Sequence, residues 1–168
     1  MKFILITIIV LFSLSLNSQD NSDSKISTYY FIRHAEKDRS DNTNSNPHLN
    51  EKGKHRAEKW NEVFSNIKLD AIYSTNFFRT KETALPIAIK NSQELTIYNP
   101  RELNINAFLK NTYGKKILIV GHSNSTPTFV NSILGNKKYD MIDDNNNANL
   151  YIVTIADSVI ADQLLVIE

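Results

Sequence analysis

The run Lys116-Ile117-Leu118-Ile119-Val120, closed by Gly121, constrains the fold more than any other segment of the chain. An alternating apolar pattern would mark a strand with one wet face. An unbroken run suits a strand buried on both faces, in the middle of a largely parallel sheet. Such a sheet needs helices on both sides, and the remaining sequence offers them. Thr28 to Ile32 is β-branched and aromatic and reads as another buried strand, Asp70 to Tyr73 as a short one and Glu94 to Tyr98 as a third. Asn50 is placed to cap a helix running to about Ile67, with Ala57, Trp60, Val63, Phe64 and Ile67 on one stripe. Asn76 is placed to cap the next helix, through Arg79, Thr83 and Ile87, where Pro86 predicts a kink or an early end. Asn106 to Thr112 and Ser125 to Leu134 are the remaining helices. Leu150 to Ile155 and Gln163 to Ile167 close the chain as strands, and Asp38–Pro47 and Asp143–Asn149 are polar loops. Strands alternating with helices predict a three-layer α/β/α sandwich with a mostly parallel central sheet.

The 168 residues suffice for one domain with its own core. The start of the chain is a separate matter. Met1-Lys2 is followed by an apolar run from Phe3 to Leu16, which turns polar at Asn17. That layout predicts a secretory signal over residues 1–18. The run is short of the roughly 20 residues that span a bilayer. Cleavage is expected near Ser18-Gln19, with an uncleaved anchor or a buried N-terminal element as alternatives. Residues 19–27 read as a linker and 28–168 as the domain, exported to a periplasmic or extracellular address, with no membrane contact after cleavage. A net charge of +1 does not advertise nucleic acid as a partner, and nothing asks for more than a monomer. With no cysteine, thiolate chemistry and disulfides are excluded. No pair among the four histidines has the spacing of a helical metal site such as H-E-x-x-H, and no cofactor is expected.

Ligands in parallel sheets bind at the carboxyl ends of strands. Two histidines fall there: His34, in Arg33-His34-Ala35-Glu36-Lys37, and His122, in Gly121-His122-Ser123-Asn124. Arginine grips two phosphate oxygens through its planar fork. An unprotonated imidazole can attack phosphorus, dividing one hard transfer into two easier ones. His122 precedes a helix start, where free N–H groups favour anions, and Arg79 lies in the first turn of the helix after Tyr73-Ser74. Each element has a plain structural alternative: a surface pair, an ordinary strand-to-helix turn, a solvated helix charge.

Together, the three elements resemble the histidine phosphatase superfamily, the phosphoglycerate-mutase-like fold. Its members carry R-H-G or R-H-A after the first strand, an S-x-x-x-R-x-x-x-T-A helix and a late G-H. Here these correspond to Arg33-His34-Ala35, to Ser74 with Arg79 and Thr83-Ala84, and to Gly121-His122-Ser123. Leu49-Asn50-Glu51-Lys52-Gly53 matches the family's L-[ST]-x-x-G helix start, with Asn in place of Ser or Thr. The resemblance covers about Tyr29 to the C-terminus and is similar to the short bacterial phosphohistidine-phosphatase branch. It implies a metal-independent phosphatase in which His34 becomes the phosphohistidine. Arg33 and Arg79 would hold the phosphoryl oxygens, with His122 and Ser123 completing the pocket.

The proton donor is left open between Glu102, which the resemblance favours, and Asp143 or Asp144. Glu36 and Lys37 could orient groups or meet substrate; His48 and His55 read as surface residues. About forty residues separate Arg79 from His122, too few for a capping insertion, so mutase chemistry is not expected. The partner is then a small phosphorylated substrate or a phosphoprotein. Three functions stand: a phosphomonoesterase, a protein phosphohistidine phosphatase, or a non-catalytic phosphate- or phosphopeptide-binding module.

Overall fold

The computed structural model describes residues 25–168, so the expected signal and most of the linker lie outside the described residues. Two strands organise the molecule: β1 (Ser27–Arg33) and β4 (Lys116–Gly121), paired in parallel from Thr28↔Lys116 to Arg33↔Gly121. Ser27, assigned to the linker on sequence, already belongs to β1, where its Oγ accepts from the Gly114 N–H. β2 (Ala71–Ser74) pairs parallel with β4, and β3 (Leu95–Ile97) with β2. β5 (Asn149–Ala156) runs antiparallel to β1, and β6 (Val159–Val166) antiparallel to β5. The sheet order is therefore β3-β2-β4-β1-β5-β6.

Alternation along the strands divides the core in two. Tyr29, Phe31, Ile117, Ile119, Tyr151 and Val153 face α3 (Ile105–Asn111) and α4 (Ser125–Leu134), meeting Phe108, Phe129, Val130 and Ile133. Ile32, Leu118, Val120 and Leu150 face α1 (Glu51–Val63) and α2 (Phe78–Lys90), meeting Trp60, Phe64, Ala84 and Ile87. Ile117 to Val120 are all buried, which is why that run carries no polar residue. The expected three-layer α/β/α sandwich is the observed architecture.

Local chemistry explains most helix ends. Asn50 caps α1, its Oδ1 accepting from the Gly53 N–H at 2.9 Å. Gly53 is required by contact: a Cβ there would lie 2.1 Å from the Glu36 carbonyl oxygen, so α1 rests directly on the backbone after His34. α1 ends at Val63 rather than near Ile67, because Phe64 to Ile67 close into turns, with Ser65 bonding Glu62 and Ile67 bonding Phe64. Asn76 does not cap α2. Phe77 occupies the cap position without a side-chain bond, and Asn46, from the polar loop, accepts from the Phe78 N–H instead. Pro86 neither ends α2 nor shortens it, since Ala84, Ile87 and Ala88 around it are fixed in the core and outweigh one missing bond. β6 is longer than expected, starting at Val159. The β5–β6 hairpin turns at Asp157 with φ 53° and no glycine to announce it. No helix among the described residues is long and apolar enough to cross a membrane.

Candidate active site

Three adjacent parallel strands, β2, β4 and β1, end at one edge and deliver Ser74-Thr75, Gly121-His122 and Arg33-His34 side by side. The ladder continues past them: His34 N–H bonds the Gly121 carbonyl at 3.0 Å, and Thr75 N–H bonds that of Val120 at 3.4 Å. A Cβ at Gly121 would sit 2.7 Å from Thr126 Oγ1, so glycine lets the first turn of α4 pack closely over the end of β4. A cavity of about 760 Å³ opens above, lined by Arg33, His34, Arg79, His122, Ser123 and residues of the 99–105 segment.

His34 is 4% exposed. Its Nδ1 lies 2.7 Å from the Ala35 carbonyl, which can only accept, so Nδ1 carries the hydrogen and Nε2 keeps the lone pair. Burial, with the charges of Arg33, His122 and Arg79 adding to it against the Ala35 bond, lowers its pKa to about 3. Asn147 Nδ2 fixes the His34 carbonyl at 2.7 Å, and Ala35 N–H is held by Thr83 Oγ1 at 2.9 Å. The His122 ring lies 5.5 Å from that of His34, centroid to centroid, at 67°. Its pKa is lowered to about 4, first by burial and then by Arg79, Arg33 and Lys37. Both imidazoles are therefore neutral at pH 7.

The arginines differ in how they are held. Arg33 is 2% exposed, and its terminal nitrogens bond the carbonyls of Asp143 and Asn146 and the Asp144 carboxylate at 2.7, 3.0 and 2.6 Å. Its Nε is buried without a partner. Arg79 makes one long bond, to the Ser45 carbonyl at 3.4 Å, and stacks 4.4 Å over the Phe77 ring. Its Nε too is buried and unpartnered. Burial and the proximity of Arg33 lower the Arg79 pKa, so each charge is costly to the other. Lys37 also faces the cavity and is held below its ordinary pKa by burial and by Arg39 and Arg79. Two unpaired buried donors beside concentrated positive charge make a site for a compact anion. Among the described residues no three His, Cys, Asp or Glu side chains gather as metal ligands would.

Arg33, His34, Arg79, His122 and Ser123 are thus brought together, whereas Glu102 is not. The turn closed by Glu102 N–H on the Asn99 carbonyl presents Arg101 and Leu103 to the cavity and leaves Glu102 exposed outside its lining. Asp143 is exposed and caps Asn145 N–H. Asp144 reaches the cavity but is held ionised by Arg39 and Arg33, which outweigh its partial burial. Glu36 is spent on Arg56, both oxygens at 2.9 Å. His48 is exposed, pairs with Glu82 and stacks on Phe78 at 4.2 Å, tying the polar loop to α2. Ser74, matched to the family motif on sequence, turns its hydroxyl to the Thr75 carbonyl. Thr75, four residues before Arg79, is the one that touches His122, at 2.9 Å from Nε2. Counting back from Arg79 would have found it.

A rossette of basic side chains at the carboxyl edge of an α/β sheet, with a lone-pair nitrogen among them, defines a phosphoryl-handling protein of the phosphoric monoester hydrolase class. Residues 29–104 match the family model of the histidine phosphatase superfamily, branch 1. No curated protein matches the sequence. Among solved structures, the mycobacterial glucosyl-3-phosphoglycerate phosphatase is similar at TM-score 0.67 and 12% identity, over 84% of this chain and 98% of that one. The protein histidine phosphatase SixA complexed with tungstate gives 0.64 and 12%, over 83% and 96%. Phosphoglycerate mutase from Bacillus anthracis gives 0.64 and 15%, over 85% and 94%. At such identities the likeness establishes the fold.

The lowered histidine pKa values also link to stability. Between about pH 4 and 6.5 the unfolded chain binds protons that the folded rings refuse, so stability rises with pH across that window and falls as pH drops through it. Denaturant midpoints should be lower at pH 5 than at pH 7, with about 2 kcal/mol attributable to His34. NMR titration should show both rings still neutral at pH 5.

Proposed function

We propose that this chain is a phosphatase that hydrolyses phosphomonoesters without a metal, through a phosphohistidine on His34. The observation that carries the reading is the His34 Nε2 lone pair, facing a pocket where the Nε groups of Arg33 and Arg79 are buried and unpaired. Nε2 attacks phosphorus, the bond to the leaving oxygen breaks, and the three equatorial oxygens gain charge that the arginines and His122 stabilise. Water then attacks the phosphohistidine, the P–N bond breaks and inorganic phosphate leaves. A non-catalytic phosphate-binding module would have no use for a nucleophile held in the reactive tautomer.

A protein phosphohistidine phosphatase is the second reading, and one observation favours it. Asp144 is the carboxylate that lines the cavity, and it is held ionised. A basic alkoxide needs a proton as it leaves, whereas a protonated phosphohistidine releases a neutral imidazole. Neighbours of this fold are named for both small-molecule and protein substrates. The mature domain would work as a monomer outside the cytoplasm, a reading supported by the apolar run Phe3 to Leu16. There, small phosphomonoesters are the accessible substrates.

Comparison of an aryl phosphate, an alkyl phosphate and a phosphohistidine peptide tests both readings. The expected kcat/KM falls roughly 100-fold or more from the aryl to the alkyl ester, the size of a missing general acid. Glu102→Gln should change neither. A shallow dependence on the leaving group, with Glu102→Gln slowing the alkyl ester selectively, would restore Glu102 as the acid.

A further inference from the structure

The phosphoryl pocket accounts for only part of the cavity and only part of its charge. Arg33, Lys37, Arg79 and Arg101 line the cavity together with one carboxylate, Asp144. Both histidines are uncharged at neutral pH, with pKa values of about 3 and about 4. Asp144 answers Arg33, and a phosphoryl dianion would answer Arg79 and Lys37. Arg101 is then left over. Among the described residues its guanidinium makes no ion pair, and Glu102 beside it stays outside the cavity lining. Its backbone is nevertheless held in place. Asn99 Oδ1 accepts from the Arg101 N–H at 3.1 Å, and the Asn99 carbonyl accepts from the Glu102 N–H at 3.2 Å.

β3 is separated from β4 by β2, and from β1 by β2 and β4. At a strand spacing of about 4.8 Å, the segment after β3 leaves the sheet about 10 Å from the His122 strand and about 14 Å from the His34 strand. The wall that this segment and α4 contribute to the cavity includes the apolar side chains of Leu103, Ile105 and Phe129. Resting on the phosphatase reading of this pocket, we propose that Arg101 is a specificity residue. The preferred substrate is a phosphomonoester whose leaving group carries a carboxylate beyond an apolar body. One unbalanced cation matches a carboxylate monoanion better than a second phosphoryl dianion, and the planar fork suits its two oxygens. The strand spacing asks for a ring or a short chain between the two charges, since a single carbon would hold the carboxylate back over the histidines. Leu103, Ile105 and Phe129 give that spacer an apolar surface to bury against.

The test compares 4-carboxyphenyl phosphate with 4-carbamoylphenyl phosphate, which share a shape and differ in charge at the far end. The carbamoyl ester has the better leaving group, so intrinsic reactivity works against the expected preference. Wild-type kcat/KM should favour the carboxylate about 5-fold, the upper scale of an ion pair that stays partly in water. Arg101→Gln should bring the ratio to about one or below, mainly through KM. Arg101 is exposed and its side chain holds no other group among the described residues, so this variant should fold as the wild type does. Lys110→Gln, which removes the same charge from α3 outside the cavity lining, should keep the preference. Equal kcat/KM for the two esters in the wild type, or a preference that survives Arg101→Gln, would overturn the inference. An equal loss in Lys110→Gln would overturn it too, by reducing the preference to long-range attraction. If neither ester is turned over, the phosphatase reading fails, and the ratio of their affinities by titration calorimetry decides the role of Arg101 on the same terms.

Discussion

His34→Ala is expected to reduce turnover by at least about 10⁴-fold, the scale on which removal of a covalent nucleophile acts, while the protein stays folded and still binds inorganic phosphate. The lone-pair nitrogen is the one group in the pocket that no neighbour can replace. His122 Nε2 is tied to Thr75, and both rings are neutral, so neither compensates for the other's loss. The anion site should survive because the Nε groups of Arg33 and Arg79 do not depend on the His34 side chain. Titration calorimetry with phosphate, beside a steady-state assay, separates the two effects. Loss of binding together with activity would mean that His34 organises the pocket rather than reacts in it.

Arg33→Ala is expected to be costly in a different way, because Arg33 both faces the anion and holds the 143–147 loop. Its three bonds reach Asp143, Asp144 and Asn146, and the same loop sends Asn147 back to the His34 carbonyl. Asp144 stays solvated and paired with Arg39, so the loss is that of the donor to the Asp143 and Asn146 carbonyls, about 1–3 kcal/mol, equivalent in a domain of this size to a melting point lower by roughly 2–12 °C. Activity should fall with it. Arg33→Lys should rescue neither property, since a lysine ammonium cannot reproduce the fork or place a donor where Nε is. Arg79→Lys, by contrast, should weaken phosphate binding with little effect on melting, as Arg79 makes one long bond to Ser45. Thermal melts of the three variants, read beside phosphate affinities, check the separation. Full rescue by Arg33→Lys would show that only its charge matters.

Much of this was legible because the informative signals are local. The apolar run before Gly121 set the central strand, and the strand exits placed His34 and His122 at one sheet edge. Asn50 and Gly53 are three residues apart, and their cap could be read directly. What escaped depends on contacts between distant segments. Asn46 caps α2 from 32 residues away, while the nearby Asn76 instead receives a bond from Lys81. Pro86 does not end α2, because the core around it holds the helix through Lys90. Glu102 lies in a turn whose direction no pattern in the sequence encodes, so its exposure emerged only with the fold. The loop duty of Arg33 spans more than a hundred residues, and from sequence it was simply a phosphate ligand. Thr75 escaped for a smaller reason: Ser74 beside it drew the motif match.

The most direct measurement is single-turnover mixing of the enzyme with 32P-labelled p-nitrophenyl phosphate in EDTA, quenched in alkali. The account predicts label on the wild-type protein that is acid-labile and alkali-stable, and no label on His34→Ala. Undiminished turnover by His34→Ala, or the same label persisting in it, would contradict the phosphohistidine route.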